Sequence, residues 1–482
     1  MADKKPDSPS IAQSAQLPAV ALCRDAYAGT TRMRDQAVKY LPRFPMESEA
    51  GYATRRSLAV FYNGFARTVA GLTGMCFRKD PKLGDDVLGP IKEAWEDIDN
   101  AGTHGDVFIA DRLSDALVDG HVCIFVDMPV KPEGVETLDQ DRALDLRPYW
   151  IVIKKSDVVR WSSSRIGGRQ VLQSFAYKET LTEKDGEYGE KTYCQVREYF
   201  LENGSVRYKV MREGPTPHEA WVPVSSGVMD ITEIPLSVVY AQRTGVLESK
   251  PPLEDLAHEN VGHFQVLSDF RNTLHMCGVP FLIFVGADVE KIKIAPDAAL
   301  CLPEGGTAEY VEPSGAGLEV TRQELIATEG RMAAQGLAML QRDTRAAETA
   351  EAKRMEKSST DSALARVVRS LSDGVEQALR HHAMWLGKDD AGGSVEMNRD
   401  FEGIILDPAT VAEYRNLVAE NRLSVQTLWD VLEHGGWLTN TFDRELEQDR
   451  LDQTAMKNEP KELPKKDDEE EPTIPPKPGE EE

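Results

Sequence analysis

The chain has 482 residues, 41% of them hydrophobic and 28% charged, and a formal net charge of −25 at pH 7. That length allows roughly three domains with cores of their own, and the apolar and charged fractions are ordinary for a globular protein. The acidic balance argues against a protein that coats nucleic acid, which would be basic, yet an acidic wall would let DNA pass close by without sticking.

The six cysteines are Cys23, Cys76, Cys123, Cys194, Cys277 and Cys301. None stands at metal-ligand spacing from another, and free thiols in a reducing cytosol are expected. The N-terminus carries no apolar run of the signal-peptide kind. The longest apolar run, Val279 to Val285, is far short of the ~20 residues that a membrane-spanning helix needs. Cytoplasmic synthesis and no membrane are therefore expected.

Met1 to about Pro18 is polar and reads as loose. Ser48 to Phe77 reads as one helix, with Ser48 as N-cap and Leu58, Phe61, Tyr62, Phe65, Val69 and Leu72 at three- and four-residue steps. Val87 to Ala101 and Thr103 to Asp119 read as a second helix pair, closed by Gly120. Short strands follow: His121 to Asp127, Pro148 to Ile153, Gln170 to Lys178, Thr192 to Leu201, Val206 to Arg212 and Pro235 to Tyr240. Asn203-Gly204 is a two-residue hairpin signal, and Glu183 to Glu190 reads as an exposed turn. Helices first and sheet second make this an α+β region.

Pro252 opens a helix that runs to Cys277 and is ended by Gly278 and Pro280. Phe281 to Val285, Lys291 to Ile294 and Ala308 to Glu312 read as strands of a small β insertion. Val320 to Leu386 then runs 67 residues without proline. As one helix it would span ~100 Å, too long for an ordinary core. Leu325, Ile326, Met332, Leu337 and Leu340 form an apolar stripe, and Leu364, Val367, Val368, Leu371, Val375 and Leu379 form another. Between them, from Ala346 to Ala363, the only large apolar residue is Met355. Such a stretch must line a space, pack against copies of itself or break into a loop. Ala409 to Glu420 and Ser424 to Glu433 read as a helical end piece. From Met456 onward, acidic residues and prolines predominate and disorder is expected.

Few residues suggest chemistry. Neither the G-x-x-x-x-G-K-[ST] loop nor G-x-G-x-x-G occurs. His258 and His263 flank Glu259 but stand five apart rather than four, which turns them ~140° from each other on a helix. His381-His382 reads as a pair at a helix end, facing its negative terminus. Asp85-Asp86 and Asp389-Asp390 read as solvated turns, and the seven tryptophans as core or interface anchors. No catalytic residue, metal site or cofactor is expected.

The order of these parts resembles the portal proteins of tailed bacteriophages. Phe61-Tyr62-Asn63-Gly64-Phe65-Ala66-Arg67-Thr68-Val69 through Gly74-Met75-Cys76-Phe77-Arg78-Lys79-Asp80-Pro81 looks like the opening of a portal-like family that carried an unknown-function label. Arg147-Pro148-Tyr149-Trp150, Pro251-Pro252-Leu253-Glu254-Asp255-Leu256-Ala257 and Glu348-Thr349-Ala350 fit it too. The resemblance covers roughly Tyr40 to Trp385 and rests on the shared order of motifs, none of them catalytic.

It implies a portal-like fold: 1–39 an N-terminal arm, 40–250 a wing, 251–278 and 318–340 two stem helices, 279–317 a clip between them, and 341–349 a tunnel loop. It further implies a long helix and connection at 350–399, a helical crown at 400–455 and a disordered tail at 456–482. It implies a homo-oligomeric ring of about twelve subunits at a capsid vertex of the virion, closed by heterologous contacts. Such a ring surrounds a channel for double-stranded DNA and meets the terminase large subunit, the major capsid and scaffolding proteins, and head-completion or adaptor proteins.

Arg342, Arg345 and Lys353 are then the candidate DNA-proximal residues, or else they pair with Asp343, Glu348, Glu351 or Glu356. Phe281, Phe284, Lys291, Lys293 and Tyr310 are the candidate docking residues of the clip. The competing readings are another oligomeric connector or minor head protein, and an enzyme of unfamiliar type.

Overall fold

Helices and antiparallel sheets share the chain in this computed structural model, which describes residues 5–129, 144, 146–214, 220–277, 281–285, 305–311, 316–339, 362–388, 392–399, 401, 408–420, 422–434, 438 and 442–458. The chain divides into two units, 1–401 and 402–482.

The N-terminus departs from the sequence expectation. Ile11–Ala28 is a helix (α1), although Pro18 lies inside it. An interior proline costs about 3 kcal/mol. Burial of Val20, Leu22, Cys23 and Ala26 offsets this, and so does Gln13, whose Nε2 donates to the Lys155 carbonyl at 2.6 Å. Ser10 caps the helix, accepting from the Gln13 amide at 3.1 Å.

The single helix expected from Ser48 to Phe77 is two, Glu49–Leu58 (α2) and Gly64–Cys76 (α3). Asn63 caps the second, accepting from the Ala66 amide at 2.9 Å. The distant Asn260 then satisfies the break: its Oδ1 accepts from the Phe65 amide at 2.9 Å and its Nδ2 donates to the Tyr62 carbonyl at 2.7 Å. The helix expected at Val87 to Ala101 shortens to Gly89–Ala94 and a 3-10 turn, Trp95–Asp97.

Gly105–Asp119 (α4) buries Phe108, Ile109, Leu113, Ala116 and Leu117. Gly120 ends it at φ +92, and a Cβ there would lie 2.7 Å from the Lys250 carbonyl carbon, so only glycine fits.

His121–Asp127 (β1) is buried along its whole length because it is the middle strand of three. Its antiparallel neighbours are Tyr149–Lys154 (β2) and, further along the chain, Leu236–Tyr240. Trp150 of β2 meets Trp95 and Phe108 edge-on at 5.8 and 5.7 Å. A five-stranded antiparallel meander intervenes: Val158–Ile166 (β3), Arg169–Asp185 (β4), Gly189–Glu202 (β5), Ser205–Arg212 (β6) and Val222–Met229 (β7). Leu236–Tyr240 follows as β8. Glu183 to Glu190, expected as a turn, continues the β4–β5 ladder to the pair Asp185–Gly189. Backbone pairing continues there without an apolar face.

Glu254–Cys277 (α5), Phe281–Val285 (β9), Thr307–Val311 (β10) and Ala316–Ala338 (α6) come next. Ala363–Trp385 (α7) starts later than the long helix expected from Ala350. Ser362 caps it, accepting from the Ala365 amide at 3.1 Å, and 350–361 lie outside the described residues. The stripe Leu364, Val367, Val368, Leu371, Val375 and Leu379 is buried as its spacing requires. Gly374 lets α7 sit against β8, since a Cβ there would come 2.8 Å from Val239 Cγ2.

In the second unit, helices Pro408–Ala419, Val425–His434 and Arg444–Asn458 are described. Trp429 and Phe442 meet edge-on there at 5.5 Å. Helix therefore continues past Met456, where disorder was expected to begin, and 459–482 lie outside the described residues.

Candidate functional site

Helices α5 and α6 are antiparallel. Glu259 meets Arg331 at 3.6 Å and His263 meets Glu329 at 3.2 Å, so residue numbers rise on one helix as they fall on the other. The base of the pair is anchored: Leu253 just before the first helix and Leu256, Ala257 and Phe264 on it are at most 2% exposed, and Met332 of the second is 2% exposed. Phe264 meets Phe61 edge-on at 5.7 Å, and Gln265 Nε2 donates to the Tyr40 carbonyl at 2.9 Å.

Among the described residues the distal end lacks such cover. Arg271, Asn272, Thr273, Leu274 and His275 are all exposed. So are Val320 at 69% and Ile326 at 55%. Between the two helices, β9 and β10 pair antiparallel from Phe281–Val311 to Val285–Thr307. Among the described residues this is a two-stranded sheet, with Ile283 46% and Val285 63% exposed. A lone pair of strands is marginal in water.

Of the candidate clip residues, Phe281 and Phe284 lie on β9 and Tyr310 lies opposite Leu282 on β10. Lys291 and Lys293, with the strand expected at Lys291 to Ile294, fall outside the described residues, as do Arg342, Arg345 and Lys353. The ends flanking that last segment do meet, since the Leu364 amide donates to the Met339 carbonyl at 3.0 Å.

Two buried polar clusters escaped the sequence reading. His381 and His382 do not face a helix terminus in solvent, for each is 1% exposed. His381 Nδ1 lies 3.2 Å from Ser237 Oγ, and its Nε2 lies 3.3 Å from Glu233, which also pairs with Arg380 at 2.6 Å. Burial holds His381 below the usual histidine value, while hydrogen bonding from His381 lowers Glu233. The order Ser–His–Glu mimics a hydrolase triad, but Ser237 is 0% exposed, and a nucleophile must reach its substrate. The arrangement ties β8 to α7.

Lys155 is likewise 0% exposed. Its Nζ donates to the Asp119 carbonyl at 3.1 Å, and to the Ser249 carbonyl and hydroxyl at 2.8 and 3.0 Å. Burial pushes it down to about 8. His121 Nδ1 shares the Ser249 hydroxyl at 2.8 Å. Nearby, Arg24 pairs with Asp119. Among the described residues no three His, Cys, Asp or Glu side chains gather as a metal site. No described helix is long and apolar enough to cross a membrane.

A family model for a domain of unknown function (DUF4055) matches residues 252–386, the stretch from α5 to the end of α7. No curated protein matches the sequence. Among solved structures, the chain overlaps one from the virion of a native gene transfer agent particle, with 13% identity, 80% of this chain and 89% of that one covered, and a TM-score of 0.37. It also overlaps a chain from the neck of the native particle computed with C12 symmetry, with 13% identity, coverage of 85% and 96%, and a TM-score of 0.37. A third overlap is with the neck of the empty particle computed with C6 symmetry, with 14% identity, coverage of 80% and 90%, and a TM-score of 0.36.

Proposed function

We propose that this chain is a portal-type subunit of a phage-like virion, not an enzyme. Copies of it close into a ring around an axial channel for double-stranded DNA. The ring sits at a capsid vertex and docks a terminase motor during packaging and head-completion proteins afterwards. One observation carries this reading: an antiparallel helix pair is anchored at its base, bare towards its far end, and tipped by a two-stranded hairpin. Exposed apolar residues on paired helices call for cover, and neighbouring copies in a ring supply it. The hairpin then projects at one end of the stem, where a motor or adaptor would dock. The order of sequence motifs supports the same reading, with Arg342, Arg345 and Lys353 between the second stem helix and α7.

The test is the mass of the purified protein in solution with negative-stain images of the same sample. Rings with a central hole of ~20 Å or more, wide enough for a duplex, are expected. A globular dimer or tetramer without a hole would sink the proposal. In a packaging assay, replacing Arg342 and Arg345 with Ala is expected to leave rings intact and lower the DNA retained. Unchanged packaging would remove those two residues from the channel.

A further inference from the structure

The helix pair has two unlike flanks. On α6, Leu325, Thr328 and Met332 point inward, as does Met339 just past its end, and all are at most 8% exposed. Val320, Ile326 and Leu337 are 69%, 55% and 57% exposed, and Gly330 and Ala333 are exposed between them. At ~100° per residue these two sets fall on opposite sides of the helix. The outward set is an apolar ridge with small residues along it.

On α5, Glu259 and His263 face α6. Ser268, Arg271, Asn272 and His275 are turned ~140° away from them at the same helical pitch, and line a groove with Thr54, Arg55 and Leu58 of α2. The layers therefore run α2, α5, α6, with the groove on one outer flank and the ridge on the other. The groove's free space is about 60 Å³, far below the ~300 Å³ of small-molecule pockets, so it suits inserted side chains and not a cofactor.

The groove is also chemically incomplete. Ser268 is 3% exposed and its hydroxyl has no hydrogen-bond partner among the described residues, an arrangement that calls for one. Arg55 is neutralised by Glu47 at 2.8 Å and faces Asp269 at 3.6 Å. Among the described residues the exposed Arg271 of the groove forms no ion pair, which leaves one cation there for an incoming carboxylate. The ridge is edged by Glu319 and Glu324, which among the described residues pair only along their own helix, with Arg322 at 2.7 Å and Arg331 at 2.9 Å. Exposed pairs of that kind contribute little and re-pair readily.

We infer that the occupant of the groove is a second copy of this chain: the α6 ridge of one copy seats against the α2–α5 groove of the next. Ile326 covers Leu58, Leu337 continues the same contact about three turns further along the ridge, and Glu319 or Glu324 reaches Arg271. The contact joins two different surfaces, so it propagates head to tail and closes only by rotation. This rests on the ring reading above and adds which faces meet and in what sense.

The experiment uses the full chain and two double variants. The ridge variant carries Ile326→Glu and Leu337→Glu, and the groove variant carries Leu58→Glu and Arg271→Glu. All four side chains are exposed, and circular dichroism verifies the fold. Should the ridge variant fail to fold, Ser at 326 and 337 replaces Glu. Sedimentation is expected to show each variant alone as a monomer. An equimolar mixture is expected to give a species of twice the monomer mass and nothing larger, because each partner keeps one intact face. Either variant assembling like the wild type, or a mixture of folded variants staying monomeric, overturns the inference. A groove variant that dimerises alone would mean ridge-to-ridge pairing and overturns it too. Wild-type rings that persist in both variants sink this inference and leave the ring reading standing. A small closed wild-type oligomer without a hole, abolished by both variants, does the reverse.

Discussion

Lys155 shows how little single residues reveal on their own. In the run Lys154-Lys155-Ser156-Asp157 it reads as a surface charge, yet its amine bonds Asp119 and Ser249, 36 and 94 residues away. No local pattern encodes partners at that distance. Lys155→Met is expected to destabilise the fold by about 3 kcal/mol, since it leaves two buried carbonyls unpaired. Urea unfolding measures it, and a loss under ~1 kcal/mol would mean that water replaces the amine.

The adjacent His121 gives a pH test. Burial, with Lys155 adding to it, pushes this histidine from 6.5 down to about 3. A depressed base binds its proton in the unfolded chain first. Its contribution is whole above the unfolded value of 6.5 and drains as pH falls towards 3, at about 1.4 kcal/mol per pH unit. Asp119, pushed up to about 6 by burial, opposes this trend, so the informative quantity is a difference between proteins. His121→Asn is expected to show a shallower loss of stability than wild type between pH 6 and 5, by about 1.4 kcal/mol per unit. Parallel curves would show that His121 titrates normally in the fold.

Elements were far more legible than residues, wherever one face meets a core. The stripe of α7, the buried run of β1 and the Asn203-Gly204 turn, with φ of 53 and 81, follow from spacing and turn chemistry. The misses share a cause. Helix α1 looked loose because Pro18 and its polar neighbours hide an inward face whose cover comes from elements much later in the chain. Asn63, the N-cap of α3, is the local mark of the break between α2 and α3, but the side chain that bonds across it, Asn260, comes from α5. That buried side chain ties the start of α3 to the helix pair. Asn260→Ala is expected to cost about 1–3 kcal/mol, because the buried Phe65 amide is left unpaired, while the Tyr62 carbonyl keeps the Gly64 amide at 2.8 Å. Leu at 260 should cost no less, since volume alone supplies neither bond. Calorimetry of both variants decides it: a milder loss with Leu would make packing the dominant role.

At the scale of the whole molecule, sequence spacing located helices α5 and α6 but not the flanks on which they are bare, because exposure depends on every element packed around them. Both proposed contact faces lie within the first unit, 1–401, and so does Phe401, a partly buried residue packed against the main core. The helices after residue 402 carry contacts among themselves, such as Trp429 against Phe442. A chain ended after Phe401 therefore keeps its core and both faces. It is expected to melt with the main transition of the full chain and to self-associate through the same ridge and groove. The closing angle of a head-to-tail contact is fixed by the geometry of its two faces, so any ring of the shortened chain should hold the same number of copies. Light scattering with calorimetry tests this. A folded but monomeric 1–401 would transfer the assembly contact to the second unit. A melting temperature lowered by about 1–2 °C, the size expected from losing ~1–2 kcal/mol in a unit of this size, would mean that the two units stabilise each other.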